Sequence, residues 1–239
     1  MATASQLISE KFCGFSPAAL RFLRDLKKNN NRVWFQARKE VYERELLAPL
    51  QALTADVASA LRKARIPIDA DPKRAVFRIY RDVRFSRDKS PYKTNLGTYL
   101  PYKGLRDTAG GLYIHVEPKA SFMAVAFYQL DKPLLHRWRE AMASEPKRFQ
   151  AMLRALERNG VQIFEQEDAL KRMPRGFESQ GESPIARYFR VPSFTVSEKL
   201  SDQDVADKRL VGRCVSLVKK AKPLLEFGWN LLERRGVAP

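Results

Sequence analysis

The residues best suited to chemistry lie in one basic stretch, residues 73–95, which reads KRAVFRIYRDVRFSRDKSPYKTN. This stretch holds eight Lys and Arg residues against two Asp residues. Arg78 and Arg84 could together bind a phosphate or carboxylate, because planar guanidinium groups bind such anions through paired hydrogen bonds. The other candidate ligand-binding residues of the stretch are Arg81, Asp82, Lys89, Tyr92 and Lys93. The lysines would add point charges, and the tyrosine would stack on a base or bind an oxyanion, unless it is buried with a satisfied hydroxyl.

The same stretch has the alternation of a β-strand, because its apolar and polar residues follow a period of two. The apolar face carries Phe77, Ile79, Val83 and Phe85. The polar face carries Arg78, Tyr80, Asp82 and Arg84. This alternation predicts a strand that presents its arginines on one face of a sheet.

Two features of this predicted strand leave alternatives open. Asp82 could form a structural salt-bridge ladder with the neighbouring arginines, in which case the face has no ligand. Arg81 falls on the apolar face, so either a bulge turns it outward or it is buried against a helix carboxylate such as Glu40 or Glu43.

His115 and Glu117 are the candidate catalytic residues, since they share the polar face of a second alternating segment with Tyr113. A carboxylate that orients a histidine ring could make it a general base. The chemistry would be hydrolysis or transfer at a phosphoryl or acyl centre, with the arginines stabilising the developing negative charge. A structural role for a lone strand histidine is the alternative, so the sequence leaves open whether the protein is an enzyme.

The remaining motifs of the sequence give little further indication of a functional site. The loop at residues 171–177 (KRMPRGF) is a second candidate anion contact, or else a solvated turn. His, Cys and carboxylate residues lack the spacing of metal ligands, and the chain has neither a phosphate-binding glycine loop nor a nucleophile elbow. We therefore expect no metal and no cofactor.

The elements that must position these residues are predicted to form an α+β fold, with an antiparallel β-sheet flanked by N-terminal and C-terminal α-helices. Helix starts are indicated at Ser16 with Pro17, at Asn31, at Pro133 and Pro146, and at Ser201 with Asp204 as a capping box. Beyond the basic stretch, strands are predicted at residues 96–100, 112–116 and 121–128. We expect a single globular domain over residues 1–239, with a helical N-terminal third, a central sheet at about 73–130 and a helical C-terminal part.

The net charge, hydrophobic content and cysteine count narrow the expected partners and location of the protein. The chain has 239 residues, 44% of them hydrophobic, and a formal net charge of +17. That charge favours polyanions, so an anionic small molecule or nucleic acid is the expected partner, with a merely solvated basic surface as the alternative. No transmembrane segment is expected, and two cysteines far apart in sequence fit a cytoplasmic protein. The sequence does not predict an oligomeric state.

Several strings together resemble one family. They are the Asn29-Asn30 pair with Arg32, Trp34-Phe35 and Tyr42, then FRIYRDVRFS, DKSPYKTN, GLYIHVEP and KRMPRGF. The chain resembles the family catalogued as domain of unknown function 2461, from about residue 12 to about residue 232. The resemblance implies no activity, since the family name assigns none.

This chain departs from the family pattern at two places. It has Met-Ala-Val-Ala at residues 123–126, where members tend to have glycines. It also has Glu-Ser-Pro at residues 182–184, where members often have a segment similar to Asp-His-Pro. A role that depends on that histidine is therefore not expected here.

Overall fold

The computed structural model describes residues 11–105, 108–164 and 169–233. The fold is α+β, with a four-stranded antiparallel sheet flanked by helices, which confirms the predicted fold class. The strands, in sheet order, are β1 (Leu96–Leu100), β2 (Gly111–Val116), β3 (Ser121–Phe127) and β4 (Phe194–Leu200). The first three confirm predicted strands. The fourth is not among the predictions, although Phe194, Val196 and Leu200 are buried at even spacing.

Eleven α-helices surround the sheet in the described part of the chain. They are α1 (Pro17–Lys28), α2 (Arg32–Gln36), α3 (Lys39–Tyr42), α4 (Ala48–Lys63), α5 (Pro72–Ala75), α6 (Lys132–Ser144), α7 (Pro146–Arg158), α8 (Ala186–Phe189), α9 (Asp202–Val205), α10 (Leu210–Lys220) and α11 (Lys222–Glu233). A π-helical turn, Glu43–Leu47, joins α3 to α4. None of the helices in residues 11–105, 108–164 and 169–233 is both long and apolar enough to cross a membrane.

The predicted helix starts at Ser16, Asn31 and Ser201 are confirmed by side-chain caps, while α7 begins at Pro146 as predicted and α6 begins at Lys132, one residue before the predicted Pro133. Ser16 Oγ accepts a hydrogen bond from the Ala19 N–H at 3.2 Å, and Asn31 Oδ1 accepts one from the Trp34 N–H at 2.9 Å. Ser201 and Asp204 form the predicted capping box at the start of α9. Each side-chain oxygen satisfies a backbone N–H that the first helical turn leaves without a partner.

The chain divides into two compact units. The first comprises residues 1–106, 112–123 and 198–216, and the second comprises residues 107–111, 124–197 and 217–239. In the first unit, Leu26 and Leu53 are buried, and the Phe35 ring stacks on Tyr92 with centroids 4.1 Å apart. In the second, the Trp138 ring stacks on Phe194 at 4.0 Å. The single domain over residues 1–239 stays a prediction.

The strand predicted over residues 77–85 of the basic stretch is wrong. Residues 72–75 form α5, and the rest of the stretch makes only two isolated bridges, Val76 with Thr98 and Tyr80 with Tyr92. The predicted apolar face is wrong as well: Ile79 is buried, but Phe77 is 47% exposed and Phe85 is 95% exposed.

The stretch instead forms a hairpin whose two arms meet at residues 79–81 and 91–93. The Arg81 N–H donates to the Pro91 carbonyl at 2.9 Å, and the Lys93 N–H donates to the Ile79 carbonyl at 2.7 Å. Residues 81–90, here named the hairpin tip, bend because two aspartates accept hydrogen bonds from the backbone two residues ahead. Asp82 Oδ1 accepts from the Arg84 N–H at 3.2 Å, and Asp88 Oδ1 accepts from the Ser90 N–H at 2.9 Å. Such local turns compete with strand pairing, which alternation alone does not reveal.

Candidate functional site

The site is built on the outer face of β1 and β2, within the first unit. The two strands pair antiparallel with Gly97 opposite His115 and Thr98 opposite Ile114. Thr98 and Ile114 are fully buried, so the other face of the strand pair presents His115 and Tyr113. Gly97 makes room for them, because a Cβ atom there would lie 2.8 Å from the Tyr113 hydroxyl oxygen.

On this face both ring nitrogens of His115 lie within hydrogen-bonding distance of other side chains. Its Nε2 lies 3.1 Å from Glu117 Oε2, and its Nδ1 lies 3.0 Å from the Tyr113 hydroxyl and 3.4 Å from Asn95 Nδ2. The ring stacks on Phe122 with centroids 4.8 Å apart and planes at 17°. We name Asn95, Tyr113, His115, Glu117 and Phe122 the His115 cluster.

The cluster contains the chemical parts of a proton relay. A neutral His115 that carries its proton on Nε2 donates to the Glu117 carboxylate and accepts from the Tyr113 hydroxyl on Nδ1. A carboxylate, an imidazole and a phenol then form one hydrogen-bonded chain. The side chains of His115 and Glu117 are 15% and 27% exposed, so both are partly open to solvent.

Arg78 and Lys93 are neighbouring cations, which we name the cation pair. Lys93 Nζ lies 5.6 Å from the centroid of the Phe77 ring, which in turn packs edge-on against Tyr113 at 6.0 Å. Burial, and then the charge of Arg78, lowers the pKa of Lys93. Within residues 11–105, 108–164 and 169–233, neither side chain of the cation pair has an ion pair or a hydrogen bond. Arg78 is close enough to Asp82 to be the weakest of the causes that lower the pKa of that carboxyl.

The hairpin tip holds the other predicted arginines, and each has a partner there. Arg84 Nη2 lies 2.8 Å from Asp82 Oδ2, and this pair lowers the pKa of Asp82. Arg81 pairs with Asp88 and lies 3.3 Å from the Ser90 carbonyl oxygen. Of the two alternatives for Arg81, burial against a helix carboxylate such as Glu40 or Glu43 is wrong, because Arg81 pairs with Asp88 of its own loop.

The last two candidates of the basic stretch also have other contacts. Lys89 Nζ donates to the Val83 carbonyl at 3.0 Å within the hairpin tip. Tyr92 is buried with its ring against Phe35, and burial raises its pKa. Of the predicted ligand-binding residues, Lys93 is linked to the His115 cluster through the Phe77 ring, and Arg78 neighbours Lys93.

The sequence prediction gave no role to several members of this face. Tyr113 was placed beside His115 by alternation, and that period-two pattern is the signal from which its contact could have been inferred. Asn95 and Phe122 contact His115 from outside β2, and Phe77 contacts Tyr113 from the basic stretch.

The second unit holds the other predicted anion contact. Lys171, Arg172 and Arg175 are exposed, while the Phe177 ring is buried against Phe189 at 5.6 Å. The loop is thus anchored by an aromatic side chain and presents its cations to solvent. In the part of the chain that the structure describes, no three His, Cys, Asp or Glu side chains are grouped to hold a metal ion.

Residues 18–227 match the family described as "Conserved hypothetical protein (DUF2461)". The chain belongs to this family. The match confirms the resemblance seen in the sequence, and the family description states no activity. No curated protein matches the chain.

A solved structure is also similar, that of an uncharacterized protein from Methanothermobacter thermautotrophicus. It is 13% identical with a TM-score of 0.36, and the similarity covers 75% of this chain and 99% of that chain. At this level of similarity the match carries no argument about function.

Proposed function

We propose that the protein binds a small anionic ligand, bearing a phosphate or carboxylate group, at the cation pair beside the His115 cluster. The observation that supports it is the placement of Arg78 and Lys93. They are neighbouring cations, and neither side chain has an acidic partner within 4 Å in the part of the chain that the structure describes.

Electrostatics makes this arrangement costly without a ligand. Partial burial strips water from the Lys93 ammonium group, and the neighbouring guanidinium group adds repulsion, so both disfavour the charged lysine. A bound anion reverses both effects, because it replaces lost hydration and neutralises the repulsion. Arg78 would supply a planar pair of donors and Lys93 a point charge.

The His115 cluster gives the ligand a second point of recognition. His115 and Glu117 are proposed to move a proton to or from the bound ligand, with Glu117 orienting the ring. The reaction class that fits is hydrolysis or transfer at a phosphoryl or acyl centre, with the cation pair stabilising the developing charge. Arg81, Arg84 and Lys89 are engaged within the hairpin tip and are not needed for this binding.

A thermal-shift screen tests the proposal. Phosphorylated and carboxylated metabolites are added to the wild-type protein and to an Arg78→Gln, Lys93→Gln variant. A ligand at 100 times its dissociation constant should stabilise the wild type by about 2.7 kcal/mol. The matched control is Arg21→Gln, Lys27→Gln, which removes two exposed cations of α1 and the same total charge.

The expected result is at least one anion that raises the melting temperature of the wild type and of the control, but not of the site variant. Equal shifts in all three proteins would contradict the proposal, and so would the absence of a shift with every anion. A His115→Gln variant that binds the same anion but loses turnover would support proton transfer as well.

A cytoplasmic location is part of the same proposal. Cys13 and Cys214 are both free thiols, which suits a reducing compartment.

A further inference from the structure

The hairpin tip presents an aromatic ring to solvent. Phe85 is 95% exposed, and Tyr80 at the base of the hairpin is 52% exposed. Phe77 lies in the same stretch and is 47% exposed. A single exposed apolar ring is common on protein surfaces. Phe85 is distinguished by the cations around it, since the Arg84 guanidinium carbon lies 5.7 Å from the ring centroid.

The tip is organised without help from Phe85. Arg81 pairs with Asp88, the Ser90 hydroxyl donates to Asp88 Oδ1 at 2.6 Å, and Lys89 Nζ donates to the Val83 carbonyl. These bonds close the loop on itself and leave the ring outside. A binding loop that is already ordered loses little conformational entropy when a partner binds.

The charge of the tip is positive. Four cations (Arg81, Arg84, Arg87 and Lys89) and two carboxylates (Asp82 and Asp88) leave a net charge of +2. Each carboxylate already pairs with an arginine, Asp88 with Arg81 and Asp82 with Arg84. Arg87 is exposed and has no ion pair or hydrogen bond in the part of the chain that the structure describes, and Lys89 bonds only a backbone carbonyl.

We propose that the hairpin tip is a contact surface for single-stranded nucleic acid, in which a base stacks on Phe85 and phosphates bind Arg87 and Lys89. An exposed ring between cations is the combination that binds unpaired bases without sequence preference. The net charge of +17 supports the same partner through long-range attraction.

Other partners fit the tip less well. A small ligand needs a concave site that buries most of its surface, and a protruding ring offers none. A membrane-inserting loop needs several apolar side chains, whereas the residues beside Phe85 are Arg84 and Ser86. In a duplex the bases are already stacked and leave no face for the ring.

Fluorescence anisotropy with a labelled 20-nucleotide oligothymidylate tests the proposal across a salt series. Phe85→Ala should weaken binding by about 5- to 100-fold, the effect of losing one stacked base. Arg87→Gln should lower the slope of log affinity against log salt by about 0.7, the effect of one lost phosphate contact. Tyr128→Ala, which removes an exposed aromatic ring of the second unit, should change the affinity by less than about twofold.

Folding does not confound the test, because Phe85→Ala removes a ring with almost no buried surface and should leave the melting temperature unchanged. The proposal is overturned if Phe85→Ala binds the oligonucleotide as tightly as the wild type. If that variant also loses binding to phosphatidylserine vesicles, Phe85 belongs to a membrane contact instead. Phe85→Ala leaves Arg78 and Lys93 unchanged. A failure of the nucleic-acid proposal in this variant therefore does not contradict anion binding at the cation pair.

Discussion

The side-chain amide of Asn30 forms two hydrogen bonds with the backbone of Tyr92. Its Nδ2 donates to the Tyr92 carbonyl oxygen at 2.9 Å, and its Oδ1 accepts from the Tyr92 N–H at 3.1 Å. The Tyr92 ring stacks on Phe35 of α2. The turn between α1 and α2 thus holds the base of the hairpin that carries the cation pair and the hairpin tip.

Removal of this amide should destabilise the first unit. We expect Asn30→Ala to lower the free energy of unfolding by about 1–3 kcal/mol, because the Tyr92 N–H and carbonyl lose their partner in a half-buried position. Urea denaturation measures the change. Asn29→Ala is the control, since its exposed Nδ2 makes one hydrogen bond, to the Asp25 carbonyl. Equal losses in the two variants would contradict the anchoring role of Asn30.

Two helical glycines should respond to alanine in opposite directions. A Cβ at Gly228 would lie 2.2 Å from the Phe127 ring, so Gly228→Ala should cost about 1–3 kcal/mol through overpacking. At Gly212 no atom lies within 4 Å of such a Cβ, so Gly212→Ala should stabilise by up to about 1 kcal/mol through helix propensity. Denaturant unfolding measures both changes. A stabilising Gly228→Ala would show that Phe127 can move aside.

The two thiols should differ in reactivity. Cys13 is exposed, whereas burial raises the pKa of Cys214 to about 12. Since the thiolate is the reactive form, Ellman's reagent should modify one thiol of the native protein rapidly and the second only in denaturant. The Cys13→Ser variant should then show no fast phase. A native protein with two fast thiols would contradict the burial of Cys214.

The hairpin tip should keep Asp88 ionised in acid. Hydrogen bonds from Ser90, followed by the Arg81 pair, lower the pKa of Asp88 to about 2 from its ordinary value of 3.8. A lowered pKa contributes stability above the ordinary value, and that contribution is lost as the pH falls towards about 2. A carboxyl NMR titration should place the midpoint near 2 in the wild type and nearer 3.8 in Ser90→Ala. A wild-type midpoint of 3.8 would mean that these hydrogen bonds do not form in solution.

Much of the fold could be predicted from local signals. The helix caps at Ser16, Asn31 and Ser201 depend only on residues close to them in sequence. All three caps are present in the structure. The segment at 112–116 alternates cleanly between buried and half-buried residues, whereas 96–100 is buried at every residue except Tyr99.

In the basic stretch, residues 73–95, the same local signals predict a strand that the structure does not contain. Phe77 and Phe85 lie at even spacing with Ile79, but the turn at Asp82 breaks the strand between them, and a second turn follows at Asp88. The Asp82 and Asp88 carboxylates accept hydrogen bonds from backbone N–H groups two residues ahead. These bonds determine the backbone conformation here more strongly than the period-two pattern does. The contact of Asn95 with His115 Nδ1 and the position of Lys93 depend on strand register and on the hairpin, which no local pattern encodes.

The most direct test of the proposed function is isothermal titration with pyrophosphate as the anionic probe. We expect the Arg78→Gln, Lys93→Gln variant to bind it at least about tenfold more weakly than the wild type, because two charge-assisted contacts are lost. The Arg21→Gln, Lys27→Gln control should bind within about twofold of the wild type. If the two variants lose affinity equally, or if neither does, the cation pair is not an anion site and the account is wrong.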